Sequence, residues 1–274
     1  MIRNKISVVL SRFSIVSALV ALSLTLIYFL PEDVAVQVLS IPGLQISFSS
    51  LQLIPLFIAI ISLTGSYWVL ISNPEIERKG WLVRQVLPNL VLPAINIFIF
   101  ALILTQTNKS YEWWGILFTG VLTFSIILYA EYQVMKSNVS TNTIFTVLLI
   151  SLAHALFMAF TIALRASISR IFLIIPAIVL ASIFVSYRTI YLRTDGKFKS
   201  YWIYVVTFIC FQFAIALYYL FLTPNQYGLI LTAILFVSNA VIARIGQGDR
   251  KRLYIEPLVI GVFVIAVLLL GNLL

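Results

Sequence analysis

The sequence predicts an all-α integral membrane protein, a bundle of nine transmembrane helices arranged as one N-terminal helix followed by four helical hairpins. First, 62% of the 274 residues are hydrophobic and 10% are charged, whereas soluble domains carry about 25% charged residues. Second, nine apolar segments are long enough to cross a hydrocarbon core, which takes about 20 helical residues. Third, lysines and arginines cluster on alternate connections, as they do when a chain crosses a bilayer repeatedly.

The predicted spans belong to a single polytopic membrane domain over residues 1–274. They lie near 13–30, 51–71, 86–105, 113–130, 142–164, 171–187, 201–222, 227–243 and 257–273. The charged start of the chain resembles that of a signal peptide, but the first apolar run is long and no small-x-small cleavage site precedes Pro31. The first segment is therefore predicted to be an uncleaved helix.

The distribution of cations predicts the orientation of the chain. A segment with several arginines, such as the basic loop from Arg244 to Glu256, resists crossing a bilayer. With the N-terminus in the cytoplasm, 15 of the 18 lysines and arginines lie inside, and Lys109, Arg165 and Arg170 lie outside. The sequence thus predicts a protein of a prokaryotic cytoplasmic (inner) membrane with its N-terminus in the cytoplasm and its C-terminus outside.

The first outer loop, residues 31–50, predicts a small β-hairpin. Apolar residues alternate with smaller or polar ones on both sides of Ile41-Pro42-Gly43, which is the pattern of two short strands. The Pro-Gly pair favours a type II turn, so we expect a longer or bulged connection instead of a tight two-residue turn. A hairpin of this size is not stable alone. It is expected either to lie on the helix ends as a lid or to pair with a strand of a partner.

The ionisable residues do not suffice for a catalytic, cofactor-binding or metal site. His154 is the one histidine and Cys210 the one cysteine, which excludes multi-His metal sites and a CxxC pair. A Ser-His-Asp triad is not expected either, because the acidic residues are not within reach of His154. The acidic residues lie in loops or at helix ends: Glu32, Asp33, Glu75, Glu77, Glu112, Glu131, Asp195, Asp249 and Glu256. Arg188 and Arg193 are assigned to the loop after the sixth helix.

The net charge of +9 is explained by membrane topology and by anionic lipid headgroups, because the basic residues lie in short loops beside apolar runs. No nucleic-acid partner is expected. The predicted partners are the lipid bilayer and other membrane subunits.

Uncharged polar residues inside the spans are the candidates for a functional site. Asn96, His154 and Gln212 follow one another at intervals of 58 residues, near the middle of the third, fifth and seventh helices, which predicts a shared depth. Asn239 of the eighth helix lies at a comparable depth. The face of the fifth helix that carries His154 also carries, at three- and four-residue steps, Ser151, Met158, Thr161 and Arg165.

These polar residues have two interpretations. They are either hydrogen-bonding groups that hold the helices together, or the lining of a polar cavity near the midplane, where transporters bind their substrates. The cavity would be lined by Asn96, His154, Gln212 and Asn239. Arg165 would either draw an anionic headgroup or substrate inward or serve as an ordinary interfacial cation.

The predicted function is that of a non-enzymatic multi-pass membrane protein, either a small-solute or lipid carrier or a membrane-embedded subunit of a larger complex. The alternative is an interfacial lipid-modifying transferase. A carrier predicts water access to Asn96 and His154, and a subunit predicts a closed core with an apolar flank. A transferase predicts that Glu112, Glu131 or Asp195 lies in a cleft that holds lipid.

Overall fold

The computed structural model of the chain is built mainly of α-helices. It describes residues 2–30, 36–41, 44–73, 83–135, 139–167, 171–194, 196, 199–247, 259, 261 and 262. The helices of this part are α1 (Ile2–Phe29), α2 (Ser50–Leu70), α3 (Val83–Gln106), α4 (Tyr111–Val134), α5 (Val139–Ser167), α6 (Ile171–Arg193), α7 (Tyr201–Tyr218) and α8 (Pro224–Gln247). Each of these eight helices contains a stretch long and apolar enough to cross a membrane. The described part of the chain thus has the architecture of a multi-pass membrane protein.

Eight of the nine predicted spans are confirmed as helices of spanning length. Most boundaries agree within a few residues, but α1 already begins at Ile2, and α6 continues to Arg193. The ninth predicted span, 257–273, lies outside the described residues except for Val259, Gly261 and Val262, which are helical. The ninth span therefore stays a prediction.

Two paired strands precede α2. They are β1 (Val36–Ile41) and β2 (Leu44–Ser49), and they run antiparallel with their first and last residues in register. β2 leads directly into α2. Pro42 and Gly43, where the turn was predicted, lie outside the described residues, so the hairpin as a whole stays a prediction.

Contacts divide the chain into two compact units, residues 1–145 and residues 146–274. The first unit contains α1 to α4 with the two strands, and the second contains most of α5 together with α6 to α8. The boundary falls within α5. Each unit is described here by itself, and the prediction of a single domain stays a prediction.

The first unit is an apolar four-helix core with close helix contacts. Val20 of α1, Ile97 of α3 and Phe124 of α4 are fully buried in this core. Gly120 of α4 faces Phe100 of α3 so closely that an added Cβ would lie 2.8 Å from the ring. Such small residues let neighbouring helices in a membrane approach each other.

In the second unit, α6, α7 and α8 pack against one another, and side chains of α5 contact α8. A Cβ on Gly228 of α8 would lie 2.5 Å from Cγ1 of Ile162 on α5. About two turns further along both helices, the rings of His154 and Phe236 are 4.8 Å apart. Because the numbers rise on α8 as they fall on α5, these helices are antiparallel. The missing side chain at Gly228 allows the contact that brings His154 to α8.

The extension of α6 corrects the prediction that this helix ends near residue 187. The helix ends at a glycine cap: Gly196 has φ 76°, and its N–H donates to the Tyr191 carbonyl at 3.0 Å. This left-handed arrangement is a common helix terminus. Arg188 and Arg193 therefore belong to the helix and not to a loop. The prediction stopped at the first cations, although long arginine stems can follow an apolar helix surface.

Candidate functional site

His154 lies in the interior of the second unit, with 5% of its surface exposed. Its Nδ1 atom is 2.7 Å from the carbonyl oxygen of Ile150, one turn earlier in α5. A carbonyl can only accept, so Nδ1 carries the hydrogen and donates it. In the neutral imidazole this tautomer leaves Nε2 as an acceptor. Nε2 is buried and has no hydrogen-bond partner among the described residues.

Asn239 of α8 is the second buried polar side chain of this region. It lies one turn beyond Phe236 and is 0% exposed. Neither its Nδ2 nor its Oδ1 has a hydrogen-bond partner in the described part of the chain. Leaving a buried donor or acceptor unsatisfied costs about 1–3 kcal/mol. The surrounding helices therefore leave both ends of this amide ready to receive a polar group.

One face of α6 is also polar. Ser182, Ser186, Thr189 and Arg193 follow at steps of four, three and four residues, which places them on one side of an α-helix. The Ser182 hydroxyl donates to the Val179 carbonyl at 2.8 Å. The hydroxyls of Ser186 and Thr189 are buried and have no partner within the described ranges. This face therefore adds two hydroxyls that can donate or accept.

Arg193 brings this face of α6 together with α5 and α8. Its Cζ atom lies 5.2 Å from the centroid of the Phe236 ring, a cation–π distance. The His154 ring packs on the same phenyl group. Phe236 is thus the point where the three helices meet. We call the following five residues the polar cluster: His154, Ser186, Thr189, Arg193 and Asn239.

Arg188 is a further arginine inside the second unit. It is 0% exposed, and its Cζ lies 5.6 Å from the centroid of the Tyr191 ring. Five residues separate it from Arg193, so the two side chains leave α6 in directions about 140° apart. Burying a guanidinium is costly unless polar groups surround it. The interior of this unit is therefore polar on more than one face of α6.

Gln212 does not join the polar cluster, although its spacing predicted that it would. The buried face of α7 includes Thr207, Cys210 and Ala214. Gln212 lies two residues from both Cys210 and Ala214, which turns it about 160° away from them, and its side chain is exposed. Equal spacing in the sequence places residues at similar heights but does not set their direction. The cavity lining proposed from the sequence therefore loses Gln212 and gains no other amide from α7.

Asn96 belongs to the first unit, where both ends of its amide are used. Its Nδ2 donates to the Gly120 carbonyl at 3.2 Å. Its Oδ1 is one of three acceptors that share the single hydrogen of the Thr123 hydroxyl, at 3.1 Å, beside the carbonyls of Thr119 at 2.8 Å and Gly120 at 3.0 Å. Both partners belong to α4, and Asn96 is 0% exposed. In this unit Asn96 therefore acts as a hydrogen-bonding residue between α3 and α4. This agrees with the interpretation that the polar residues hold the helices together.

Arg165 lies near the end of α5, on the same helix face as His154. Its Cζ is 4.3 Å from the centroid of Tyr218 and 5.9 Å from that of Tyr227. The Tyr227 hydroxyl in turn donates to the Ala214 carbonyl at 3.2 Å. Rings from α7 and α8 thus hold the guanidinium, which is partly exposed. This is the environment of an interfacial cation, at the other end of the α5–α8 contact from the polar cluster.

The described residues offer binding groups but no metal or acid–base site. Among them, no three His, Cys, Asp or Glu side chains come together in a way that could hold a metal ion. Glu112 and Glu131 lie in the first and last turns of α4, about 28 Å apart at 1.5 Å per residue, so they cannot share a cleft. Asp195 lies outside the described residues. The transferase prediction therefore gains no pair of acids from α4.

Four residues of α6 were not among the predicted site residues: Ser186, Arg188, Thr189 and Arg193. The two arginines were interpreted as signals of topology in a loop, and the helix was predicted to end before them. The three- and four-residue spacing that revealed the polar face of α5 also runs from Ser182 to Arg193. Applying the same test to α6 beyond residue 187 would have found this face.

These features define the class of the protein: a multi-pass α-helical membrane protein whose second unit buries polar side chains of α5, α6 and α8, and in which His154 and Arg193 both contact Phe236. The chain belongs to the family described as "Protein of unknown function (DUF5656)", whose model matches residues 30–271. The family match includes all five residues of the polar cluster. Comparison with curated proteins and with solved structures found no match.

Proposed function

We propose that this protein is a carrier that binds a small polar solute, or the polar headgroup of a lipid, at the polar cluster. The observation that carries the proposal is Asn239, a fully buried amide whose donor and acceptor both lack a partner among the described residues. His154 adds an unpartnered Nε2 in the same region. Transporters commonly bind their substrates at such polar positions between spanning helices.

The energetics favour a ligand over a purely structural role. A structural amide gains stability by hydrogen bonding to a neighbouring helix, as Asn96 does with Gly120 and Thr123. Asn239 makes no such bond in the described part of the chain, so its burial costs about 1–3 kcal/mol for each unsatisfied group. A ligand with hydroxyl or carbonyl groups would satisfy Asn239 together with the hydroxyls of Ser186 and Thr189.

A carrier must also open, because His154 and Asn239 are buried in this conformation. The contact between α5 and α8 is the natural place for opening, since the polar cluster lies on it. Alternating access in many transporters moves one group of helices relative to another around a central site. We therefore expect the cluster to reach water transiently, from one side of the membrane or the other.

A membrane-embedded subunit is the second candidate, and its closed core agrees with the burial of these residues. It gives no reason for an unpartnered amide, however, and for that reason we rank it below the carrier. The interfacial transferase ranks third because the polar cluster contains no acid.

The carrier proposal is tested by the reactivity of single cysteines. In a Cys210→Ser background, cysteines replace Ser186 and Asn239 in turn, and Asn96→Cys is the matched buried control. A membrane-impermeant thiosulfonate reagent is applied to intact cells and to inverted vesicles. We expect positions 186 and 239 to react about tenfold faster than position 96, from at least one side.

Equal and negligible rates at all three positions, from both sides, would reject the carrier and favour the subunit. Ser186→Cys replaces one oxygen by sulfur and changes the side-chain volume little. Its reactivity therefore tests water access even if the variant at position 239 folds poorly. The thermal stability of each variant is measured in micelles, and only variants that unfold cooperatively are scored.

We further propose that all nine spans exist, with β1 and β2 as an outer hairpin, in a cytoplasmic membrane. The split of lysines and arginines supports this arrangement, and the helical residues Val259, Gly261 and Val262 support the ninth span. An odd number of spans places the two termini on opposite sides. A C-terminal alkaline phosphatase fusion should therefore be active and a C-terminal green fluorescent fusion dark, and the reverse pattern would contradict the ninth span.

A further inference from the structure

We infer that the ligand of the polar cluster carries an oxyanion, either a carboxylate or a phosphate, bound by Arg193, together with a hydroxyl group that binds His154 and Asn239. This inference rests on the proposed function and specifies the chemical class of its substrate. The shared chemistry applies both to a free hydroxylated anion and to the headgroup of an anionic lipid.

Arg193 has the geometry that binding an oxyanion requires. Its guanidinium lies over the Phe236 ring, with Cζ 5.2 Å from the centroid. A guanidinium has five N–H donors in one plane, and stacking on a ring leaves this edge able to bind a carboxylate or phosphate. The inference does not require Arg193 to lack other contacts, because one pair of its donors is enough for a bidentate oxyanion.

The charge of the second unit also favours an anion. Residues 146–274 contain ten lysines and arginines and three acids, whereas residues 1–145 contain eight and six. Even if each acid of the second unit pairs with a cation, seven cations remain. Two of the arginines, Arg188 and Arg193, belong to α6 itself. In a low-dielectric interior, the charges of the buried Arg188 and the partly buried Arg193 attract an anionic ligand more strongly than they would in water.

The neighbouring groups indicate a hydroxyl on the same ligand. The Nδ1–H of His154 is used by the Ile150 carbonyl, so Nε2 of the neutral ring can only accept a hydrogen bond. The Oδ1 of Asn239 also accepts, while its Nδ2 donates. A hydroxyl both donates and accepts, and can therefore bind these groups, which a bare anion such as chloride cannot do.

The test measures ligand-induced thermal stabilisation of the full chain in maltoside micelles, which contain no phosphate. The free probes are sn-glycerol 3-phosphate, lactate, glycerol and chloride. A second arm adds dioctanoyl phosphatidylglycerol, whose headgroup carries a phosphate and hydroxyls, or the neutral dioctanoylglycerol, to separate a lipid headgroup from a free anion. The variants are Arg193→Gln, Arg193→Lys and, as a matched loss of one charge at an exposed position, Lys199→Gln.

We expect sn-glycerol 3-phosphate, lactate or dioctanoyl phosphatidylglycerol to raise the melting temperature of the native chain and of Lys199→Gln. Affinity should fall about tenfold or more in Arg193→Gln, the loss expected for a charge-assisted hydrogen bond, and less in Arg193→Lys, which keeps the charge but not the planar fork. Stabilisation by the lipid probe alone would identify the headgroup as the source of the anion.

Stabilisation by glycerol that equals that by the anions, or that persists unchanged in Arg193→Gln, would overturn the inference while leaving the carrier proposal intact. No stabilisation by any anionic probe would also overturn it. If Arg193→Gln does not fold, the comparison of Arg193→Lys with Lys199→Gln decides the same question. Failure of the carrier proposal itself would appear separately, as unreactive cysteines at positions 186 and 239.

Discussion

The two units bury the asparagines Asn96 and Asn239 in different ways, although the first unit also buries the Ser66 hydroxyl without a partner among the described residues. In the first unit, Asn96 binds Gly120 and Thr123, and the Nδ2 of Asn73 donates to the Tyr132 carbonyl at 3.1 Å. In the second unit, Asn239 has no hydrogen-bond partner among the described residues. The amides of Asn96 and Asn239 are equally buried, at 0% exposure, so burial alone does not distinguish a structural polar residue from a binding residue.

The difference between the units shows that hydrogen-bond satisfaction is more informative than burial for distinguishing a structural polar residue from a binding residue. An interhelical hydrogen bond in a membrane protein contributes about 0.6 kcal/mol on average, a modest gain that the first unit obtains at Asn96. An unsatisfied buried amide costs more than this gain returns. A cost of this kind is typical of a functional site, where stability is given up for binding. The comparison therefore supports the proposal that the polar cluster of the second unit is a binding site.

The largest effect is expected from closing the gap between α5 and α8. In Gly228→Leu the new side chain would collide with Ile162, because even a Cβ lies 2.5 Å from its Cγ1. Overpacking of this kind costs about 1–3 kcal/mol. The measurement is unfolding in mixed micelles as the denaturing detergent is increased. The matched control is Gly115→Leu on α4, where an added Cβ meets nothing within 4 Å.

If Gly228→Leu proves no more destabilising than Gly115→Leu, α5 and α8 are not closely packed in the membrane. The contact between His154 and Phe236 would then not hold either, and the contrast between the two units would lose its main support. A loss confined to Gly228→Leu sharpens the contrast, because it shows that the polar cluster is enclosed by close packing.

Smaller changes in stability are expected when each of the two buried amides is replaced by leucine, and the two variants should differ in the sign of the change. Asn96→Leu removes two hydrogen bonds and should destabilise the protein by about 1 kcal/mol. Asn239→Leu removes no hydrogen bond between described residues and relieves an unsatisfied amide, so its stability should be unchanged or should rise by about 1 kcal/mol. The same micelle titration measures both variants, and each serves as the control for the other.

Equal destabilisation by the two leucine variants would contradict the difference between the units and would indicate that Asn239 has a structural partner outside the described residues. The carrier proposal would then lose the observation that carries it. A stable Asn239→Leu protein whose melting temperature no longer responds to the ligand of the polar cluster would connect the unsatisfied amide directly to binding.

Much of the fold was predictable from the residues in order. Apolar runs of about 20 residues between basic loops correctly located eight helices, because the thickness of a bilayer and the cost of moving a cation across it act on any chain in the same way. The spacing of polar residues on α5 brought His154 and Thr161 inside, whereas Ser151 of the same row is exposed. The end of α6 did not follow, because Arg188 and Arg193 carry the same signal in a loop as in a buried helix terminus.

The candidate site was predictable only in part, and the three amides show why. Asn96, Gln212 and Asn239 were equivalent in the sequence, since each is an uncharged polar residue in an apolar run. In the structure Asn96 is paired, Gln212 is exposed and Asn239 is buried without a partner in the described part of the chain. These outcomes depend on how each helix is rotated about its axis, and that rotation is set by packing with neighbours.

By itself the amino-acid order determined that this chain is a multi-pass helical protein, because hydropathy and charge are properties of single segments in contact with lipid. Only the tertiary structure decided that Arg193, Phe236 and His154 meet, because they come from three helices separated by long stretches of chain. Which groups share an interior depends on close packing between helices, such as that at Gly228. No segment contains this information before its neighbours are in place.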